Sequence, residues 1–232
     1  MTYDLNNTWS VIMKAAAKVL LLLAFLCRSG FAQSVSFGFR AGVPLTDAVW
    51  GSSYKYWEWI PESKPYTVGP AVAVRLHPRL SIEVDALYKR IGYSRYGSYI
   101  YQYERVKTRA DSWEVPVTAR YRLLSSRIRP YFADGFSYHH ISSAHSITQA
   151  LVSGTWFVSP LDRVFELQRT SNWGAIVAIG AETKMWKAHL LSEIRYTRWS
   201  ADIFRDPASP NRETVGTNRD QVEFLLGIMV GR

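Results

Sequence analysis

From Leu80 to Arg90 the chain reads LSIEVDALYKR, in which Leu80, Ile82, Val84, Ala86 and Tyr88 alternate with Ser81, Glu83, Asp85 and Lys89. A period of two predicts a β-strand with one apolar and one charged face. Runs of this kind recur eight times, at about 35–45, 66–76, 80–91, 111–123, 128–139, 173–184, 188–199 and 220–231. Each lasts roughly nine to thirteen residues, where strands of soluble proteins usually last about five or six. The connections alternate too. Three are tight (His77 to Arg79, Leu124 to Arg127, Met185 to Lys187), and four are long, at about 46–65, 92–110, 140–172 and 200–219.

Which face meets water follows from what shares the polar face. The apolar parity holds Val35, Phe37, Phe39 and Val43, then Val68, Val72, Val74 and Leu76, then Trp113, Val115, Val117 and Tyr121, and finally Val222, Phe224, Leu226, Ile228 and Val230. The opposite parity mixes charges with very small residues: Gly38, Gly42, Gly69, Ala71, Gly135, Gly174, Gly180 and Gly227. Glycine weakens a solvated strand but suits the crowded interior of a narrow barrel. Strands of about 9–11 residues cross a bilayer when tilted, with short turns at one end and long loops at the other. The pattern therefore predicts an all-β fold, an eight-stranded antiparallel up-and-down transmembrane β-barrel with long extracellular loops and short periplasmic turns. An even strand number puts both ends of the mature chain in the periplasm.

On this reading Arg40, Glu83, Asp85, Lys89, Glu114, Arg120, Arg122, Glu193, Arg195 and Glu223 turn into the lumen. An eight-stranded barrel is just wide enough to be filled by side chains, and unpaired buried charges are costly, so these residues are expected to form an ion-pair network. Tyr66, Tyr88, Trp113, Tyr138, Trp173 and Tyr196 fall on the apolar parity near the long-loop end of strands two to seven, one to each. Rings with a polar tip settle at the membrane–water boundary, so this set is expected to be an aromatic girdle.

The first 33 residues break the β pattern. Lys14 and Lys18 precede an apolar run from Val19 to Leu26, with Gly30 and Ala32 at the distance a signal peptidase needs, so residues 1–33 are expected to be a secretory signal starting at Met13. Residues 34–232 form the barrel domain. Cys27 is the only cysteine and lies in that segment, so the mature chain carries no disulfide and no thiolate site. The segment holds Lys14, Lys18 and Arg28 against Asp4, which leaves +7 of the chain's +9 on residues 34–232. No nucleic acid is expected as a partner of an exported membrane protein. Arg95, Arg105, Lys107 and Arg109 crowd the second long loop, which points to anionic lipid, above all lipopolysaccharide, as the counter-charge.

The export segment together with LSIEVDALYKR, SWEVPVTARYRL (112–123), RPYFADG (129–135), LSEIRYTRW (191–199) and DQVEFLLGIMVG (220–231) resembles the small eight-stranded outer-membrane β-barrel proteins, the OmpA/OmpX-like superfamily of Gram-negative bacteria. The resemblance implies the outer membrane as location, the barrel-assembly machinery as a partner during biogenesis, a monomer, and no cofactor. One departure is the end of the chain: such barrels commonly finish on an aromatic residue, and this one finishes Val230-Gly231-Arg232. Outer-membrane lipid A deacylases also resemble this fold and carry a His and a Ser two apart on a strand. His140-Ile141-Ser142 has that spacing, but no acid follows at the family's distance, and neither a catalytic nor a metal residue is assigned. The expected function is non-enzymatic, structural or adhesin-like binding through the loops, with a narrow pore or a lipid A-modifying enzyme as alternatives. Trp50, Tyr54, Tyr56, Trp57 and Trp59, then Tyr93, Tyr96, Tyr99, Tyr101 and Tyr103, then Trp156 and Phe157 supply contact-making rings in three of those loops.

Overall fold

A computed structural model describes residues 34–52, 57–62, 66–99, 102–124, 126–161, 164, 166–205 and 215–231. The expected signal and Met13 start lie outside these residues, as do Tyr54, Tyr56 and Tyr101. Thirteen strands run in chain order: β1 (Ser34–Pro44), β2 (Val49–Gly51), β3 (Trp57–Pro61), β4 (Thr67–Arg75), β5 (Leu80–Asp85), β6 (Leu87–Tyr99), β7 (Gln102–Arg122), β8 (Ile128–Val152), β9 (Thr155–Leu161), β10 (Ser171–Met185), β11 (Ala188–Trp199), β12 (Val215–Thr217) and β13 (Asp220–Gly231).

Eight walls close into an antiparallel ring. β1 pairs with β4, β4 with β5 and β6, these with β7, β7 with β8, β8 with β10, β10 with β11, β11 with β13, and β13 returns to β1. Closure leaves the ring without a free edge, the condition for a sheet to stand in hydrocarbon. β5 and β6 are one wall interrupted at Ala86, whose N–H still reaches Pro70 O at 2.9 Å. Gly69 makes room for this irregularity, because a Cβ there would lie 1.8 Å from Ala86 O.

The parity of the sequence is the parity of the wall. Phe37, Phe39, Val177, Ile179, Ile194, Leu226, Ile228 and Val230 are exposed on the outside, while Arg40, Glu83, Glu114, Arg120 and Arg195 are buried within. Val74 shares the outward register through its pairing with Val35 and Ile82 but is almost fully covered by its neighbours.

The long connections differ from the loops expected. Residues 92–99 and 102–110 are a continuation of the β6–β7 pairing, which runs from Leu87↔Glu114 out to Tyr99↔Gln102. The segment 140–172 begins as strand too: β8 continues to Val152, turns through Ser153 and Gly154, and returns as β9. Both turn residues have positive φ (51° and 81°), the backbone of a two-residue hairpin turn whose twist matches its strands. Alternation persists in these extensions, with Val106, Thr108 and Ala110 buried and Arg109 exposed. They stand beyond the expected girdle as a sheet in the order β3-β6-β7-β8-β9.

A second core sits inside this extension. Val49, Trp59, Ile91, Tyr93, Ala110, Ile141, Val164, Ile203, Phe204 and Val215 are buried together, so the described parts of the first, third and fourth connections pack inward over the mouth of the ring. β2 pairs with β12 across this cap. Asp202 takes both Nε and Nη2 of Arg219 at 2.7 and 2.9 Å, and these hydrogen bonds hold its carboxyl below the usual range against the opposing effect of burial. Glu62 is likewise held low: burial works to raise it, and hydrogen bonds from Lys107 and Ser94 overcome that.

Candidate functional site

Three places carry chemistry: the lumen, the cap above it, and the outer face of the projecting sheet. The lumen fills in layers because charges alternate inward from strands all around the ring. In the central layer Arg40 of β1 contacts Glu83 and lies 3.1 Å from Glu193 and 3.6 Å from Asp85. Arg120 of β7 meets Glu83 at 2.5 Å and Glu193 at 3.7 Å. Arg195 of β11 meets Asp85 at 3.1 Å and Glu193 at 2.8 Å. Three guanidinium groups thus face three carboxylates, and Tyr131 donates to Glu193 Oε2 at 2.9 Å while its ring lies 4.3 Å under Arg120. Two inward glycines make the layer possible. A Cβ at Gly180 would lie 2.5 Å from the Tyr131 hydroxyl, and one at Gly227 would lie 3.3 Å from Cγ of Arg40.

Toward the cap, Lys89 contacts Glu114 and lies 2.6 Å from Glu223, with Ser137 donating to Glu114 at 2.8 Å and Thr67 to Glu223 at 3.1 Å. Toward the tight turns, Arg122 meets Glu182 at 2.9 Å, joined by Arg129 at 3.8 Å and His189 at 2.8 Å. The ten residues assigned to the lumen are therefore all inside but fall into three separate layers. Arg122 has its partner in Glu182, which the assigned set did not include. Between the upper layer and the cap lies a cavity of about 30 Å³, edged by Thr67, Lys89, Glu114, His139, Phe204 and Glu223.

The six girdle residues all lie on the outward face. Tyr88 packs edge-on to Trp113 at 5.6 Å and donates to Asp111 at 2.6 Å. Tyr138 packs on Trp173 at 4.7 Å, Tyr196 donates to Asp220, and Tyr66 is exposed just before β4. The charges Arg90, Asp111, Arg198 and Asp220 follow one step beyond these rings, and mostly aliphatic or aromatic side chains precede them.

On the projecting sheet, rings form a stripe from Tyr96 to Tyr103 (6.4 Å) to Trp156 (6.3 Å), with Arg105 over Tyr96 at 5.3 Å. Trp156, Phe157 and Val158 are each more than half exposed. Lys107 and Arg105 share Glu62 at 2.5 and 3.6 Å, and Arg109 is exposed beside them. Trp59 and Tyr93, expected among the contact-making rings, are buried in the cap, where Tyr93 meets Phe204 edge-on at 5.8 Å. The side chains of Trp57 and Tyr99 lie outside the described residues.

His140 and Ser142 do not form a pair. Asp111 faces Ser143 and Ser112 faces Ile141, so Ser142 is the extra residue of a β-bulge, and its hydroxyl donates to Asp111 O at 3.0 Å. His140 stacks on Tyr138 instead. Sequence reasoning also passed over Asp134. It is exposed on the outward face of β8, between Phe132 and Phe136, opposite Ala119 and Val177. The signal was present in FADGF, since the parity that sends Phe132 and Phe136 outward sends Asp134 with them.

A closed antiparallel ring of eight walls with apolar residues outside and charges inside is matched by a family model. The model, described as outer membrane protein beta-barrel domain, matches residues 31–199. The chain belongs to that family. No curated protein matches this outer-membrane barrel. Among solved structures it is similar to the outer membrane protein OprG from Pseudomonas aeruginosa, at 13% identity over 86% of this chain and 94% of that one, with a TM-score of 0.51. It is also similar to Neisserial surface protein A, at 13% identity over 85% and 96% of the two chains (TM-score 0.43), and to the attachment invasion locus protein Ail of Yersinia pestis, at 10% identity over 86% and 97% (TM-score 0.37). At such identities the similarity is one of fold.

Proposed function

We propose that this outer-membrane barrel is a non-enzymatic surface-binding protein whose binding face is the outward side of the β6–β9 extension. The observation that carries this reading is the stripe of Tyr96, Tyr103 and Trp156 with Arg105, Lys107 and Arg109 alongside, held beyond the girdle on continuous strands. Recognition is usually placed on rigidly held segments at the rim of a scaffold, and exposed Trp, Tyr and Arg are the side chains that anchor interfaces. Glu62 neutralises one of the three cations, which leaves a positive surplus beside the rings. The partner class is an anionic, sugar-bearing surface molecule, with the phosphorylated core of lipopolysaccharide nearest to hand. The wall satisfies its own backbone and offers attachment, with both termini on the periplasmic side.

The test is binding of purified lipopolysaccharide to the barrel in nanodiscs, comparing the parent with Tyr103→Ser/Trp156→Ser and with Arg105→Gln/Lys107→Gln/Arg109→Gln. The first pair should lower affinity at all salt concentrations. The second triple should lower it chiefly at low salt, because exposed charges are screened over about 10 Å at 0.1 M. Unchanged affinity in both would reject the assigned face.

A further inference from the structure

The three layers of the lumen do not carry equal charge. The central layer sets three guanidinium groups against three carboxylates, and the layer beneath the cap sets Lys89 against Glu114 and Glu223. The layer at the tight turns is the reverse. There Arg75, Arg122 and Arg129 share the single carboxylate of Glu182, three cations against one anion, which leaves a surplus of two positive charges among the described residues. Arg75 turns inward from the end of β4, with Arg122, Arg129 and Glu182 as its charged neighbours across the ring. Its Nε is buried without an acceptor among the described residues. So is Nη1 of Arg122, a side chain only 6% exposed whose Nε is taken by Glu182 at 2.9 Å. In register on either side of Arg75 stand Ser34 of β1 and Ser81 of β5, and both hydroxyls are likewise buried without a partner among those residues.

Four donors are thus gathered from four adjacent walls, β1, β4, β5 and β7, at the place where cations are in excess. We propose that the tight-turn mouth of the barrel binds a terminal phosphate, free or as a monoester, with Arg75, Arg122, Ser34 and Ser81 donating to its oxygens and Arg129 adding charge. Guanidinium groups match the oxygens of a phosphate in charge and in geometry. A terminal phosphate carries a charge of about −1.5 to −2 at neutral pH and offers strong acceptor oxygens, which suits both the surplus of two and a set made of donors. The phosphodiester of a lipid headgroup carries a single charge and would leave one cation unmatched. Tyr131 and Arg120 close the inner end of the site, since they pair in register with Arg122 and Ser81, so a phosphate enters from the tight-turn side. Lys184, exposed at the rim on the same parity, adds a further cation at the entrance. The site lies at the opposite end of the ring from the outer sheet and is independent of what that sheet binds.

The experiment titrates the full barrel, folded in a phosphate-free maltoside detergent, with inorganic phosphate by calorimetry. Ionic strength is held constant with chloride, slightly above neutral pH, where the phosphate is mostly dianionic. One saturable site per chain is expected. Arg75→Gln should weaken it by roughly tenfold, the equivalent of one charge-assisted hydrogen bond, and Ser81→Ala by less. Lys187→Gln, at the same end but in an exposed tight turn with its ammonium 5.1 Å over Trp186, should leave it unchanged. Heat-modifiable migration checks that each variant has folded. In phosphate-free detergent Arg75→Gln should resist heat as well as the parent, because it removes a cation from an unbalanced group. A loss of heat resistance there would show that the protein itself holds Arg75, and would overturn the assignment. A second arm replaces the phosphate with phosphatidylglycerol added to the micelles. No saturable binding of phosphate, binding of phosphatidylglycerol alone, or an equal loss from Arg75→Gln and Lys187→Gln would each overturn it as well.

Discussion

Glu193→Leu is the sharpest probe of what fills the barrel. Glu193 is the carboxylate that all three central guanidinium groups approach, at 3.1 Å from Arg40, 2.8 Å from Arg195 and 3.7 Å from Arg120, and it also accepts from Tyr131 at 2.9 Å. Without it, Arg40, Arg120 and Arg195 face only Glu83 and Asp85. Removing one partner of a buried ion pair leaves an uncompensated charge and costs about 3–5 kcal/mol. The unmet Tyr131 hydroxyl adds about 1 kcal/mol. A charge-balanced replacement, Glu193→Leu with Arg195→Met, leaves two cations on two carboxylates and should cost less than Glu193→Leu alone. The assay is reversible denaturant unfolding of the barrel in lipid vesicles, with the folded fraction read from its heat-modifiable band. A loss below about 1 kcal/mol for Glu193→Leu, or a double variant whose loss is the sum of its parts, would mean that water solvates each charge separately and that the network reasoning is wrong.

Gly180→Val should destabilise the wall by roughly 1–3 kcal/mol in the same assay, because its Cβ would meet the Tyr131 ring at 2.5 Å. A neutral result would show that Tyr131 has another position to take. Phe204→Ala removes a fully buried ring from the cap, a change worth about 3–5 kcal/mol in a core. Because the cap lies apart from the wall, it should make the fourth connection sensitive to protease while leaving heat-modifiable migration intact. The carboxyls of Glu62 and Asp202 are held below their unfolded values, so their contribution to the folded loops is complete at neutral pH and is lost as pH falls through the carboxylate range. Protease sensitivity of the first and fourth connections should therefore rise on acidification before the barrel unfolds, and Glu62→Gln with Asp202→Asn should flatten that dependence.

Much of this was legible in the chain because a strand has only two faces. Parity placed Arg40, Glu83, Asp85 and Arg195 inside and Phe37, Val177 and Leu226 outside, and turn residues fixed where each wall reverses. Which cation meets which carboxylate was not legible. It depends on the stagger of strands distant in sequence, such as the 153 residues between Arg40 and Glu193. The extension of β6, β7 and β8 was obscured for a different reason. Beyond the girdle the outward positions turn from apolar to Arg105, Lys107 and Arg109, so the alternation continues while the contrast that marks a membrane strand disappears. Trp59 and Tyr93 were misassigned because composition cannot tell a ring that packs a cap from one that faces a partner. Ser142 could not be recognised as a bulge from spacing alone, since the extra residue is defined only by the strand opposite.

The claim on which the functional reading rests is that the barrel is closed, by ion-pair layers below and by the Trp59, Tyr93 and Phe204 cap above, so that activity belongs to the outer surface. Single-channel recording of the purified protein in planar bilayers tests this directly. The account predicts no stable conductance steps, since eight strands leave an interior that side chains can fill and open pores use about sixteen. Reproducible steps whose ion selectivity changes on Arg120→Gln or Glu114→Gln would contradict it and make the lumen charges a conduction path.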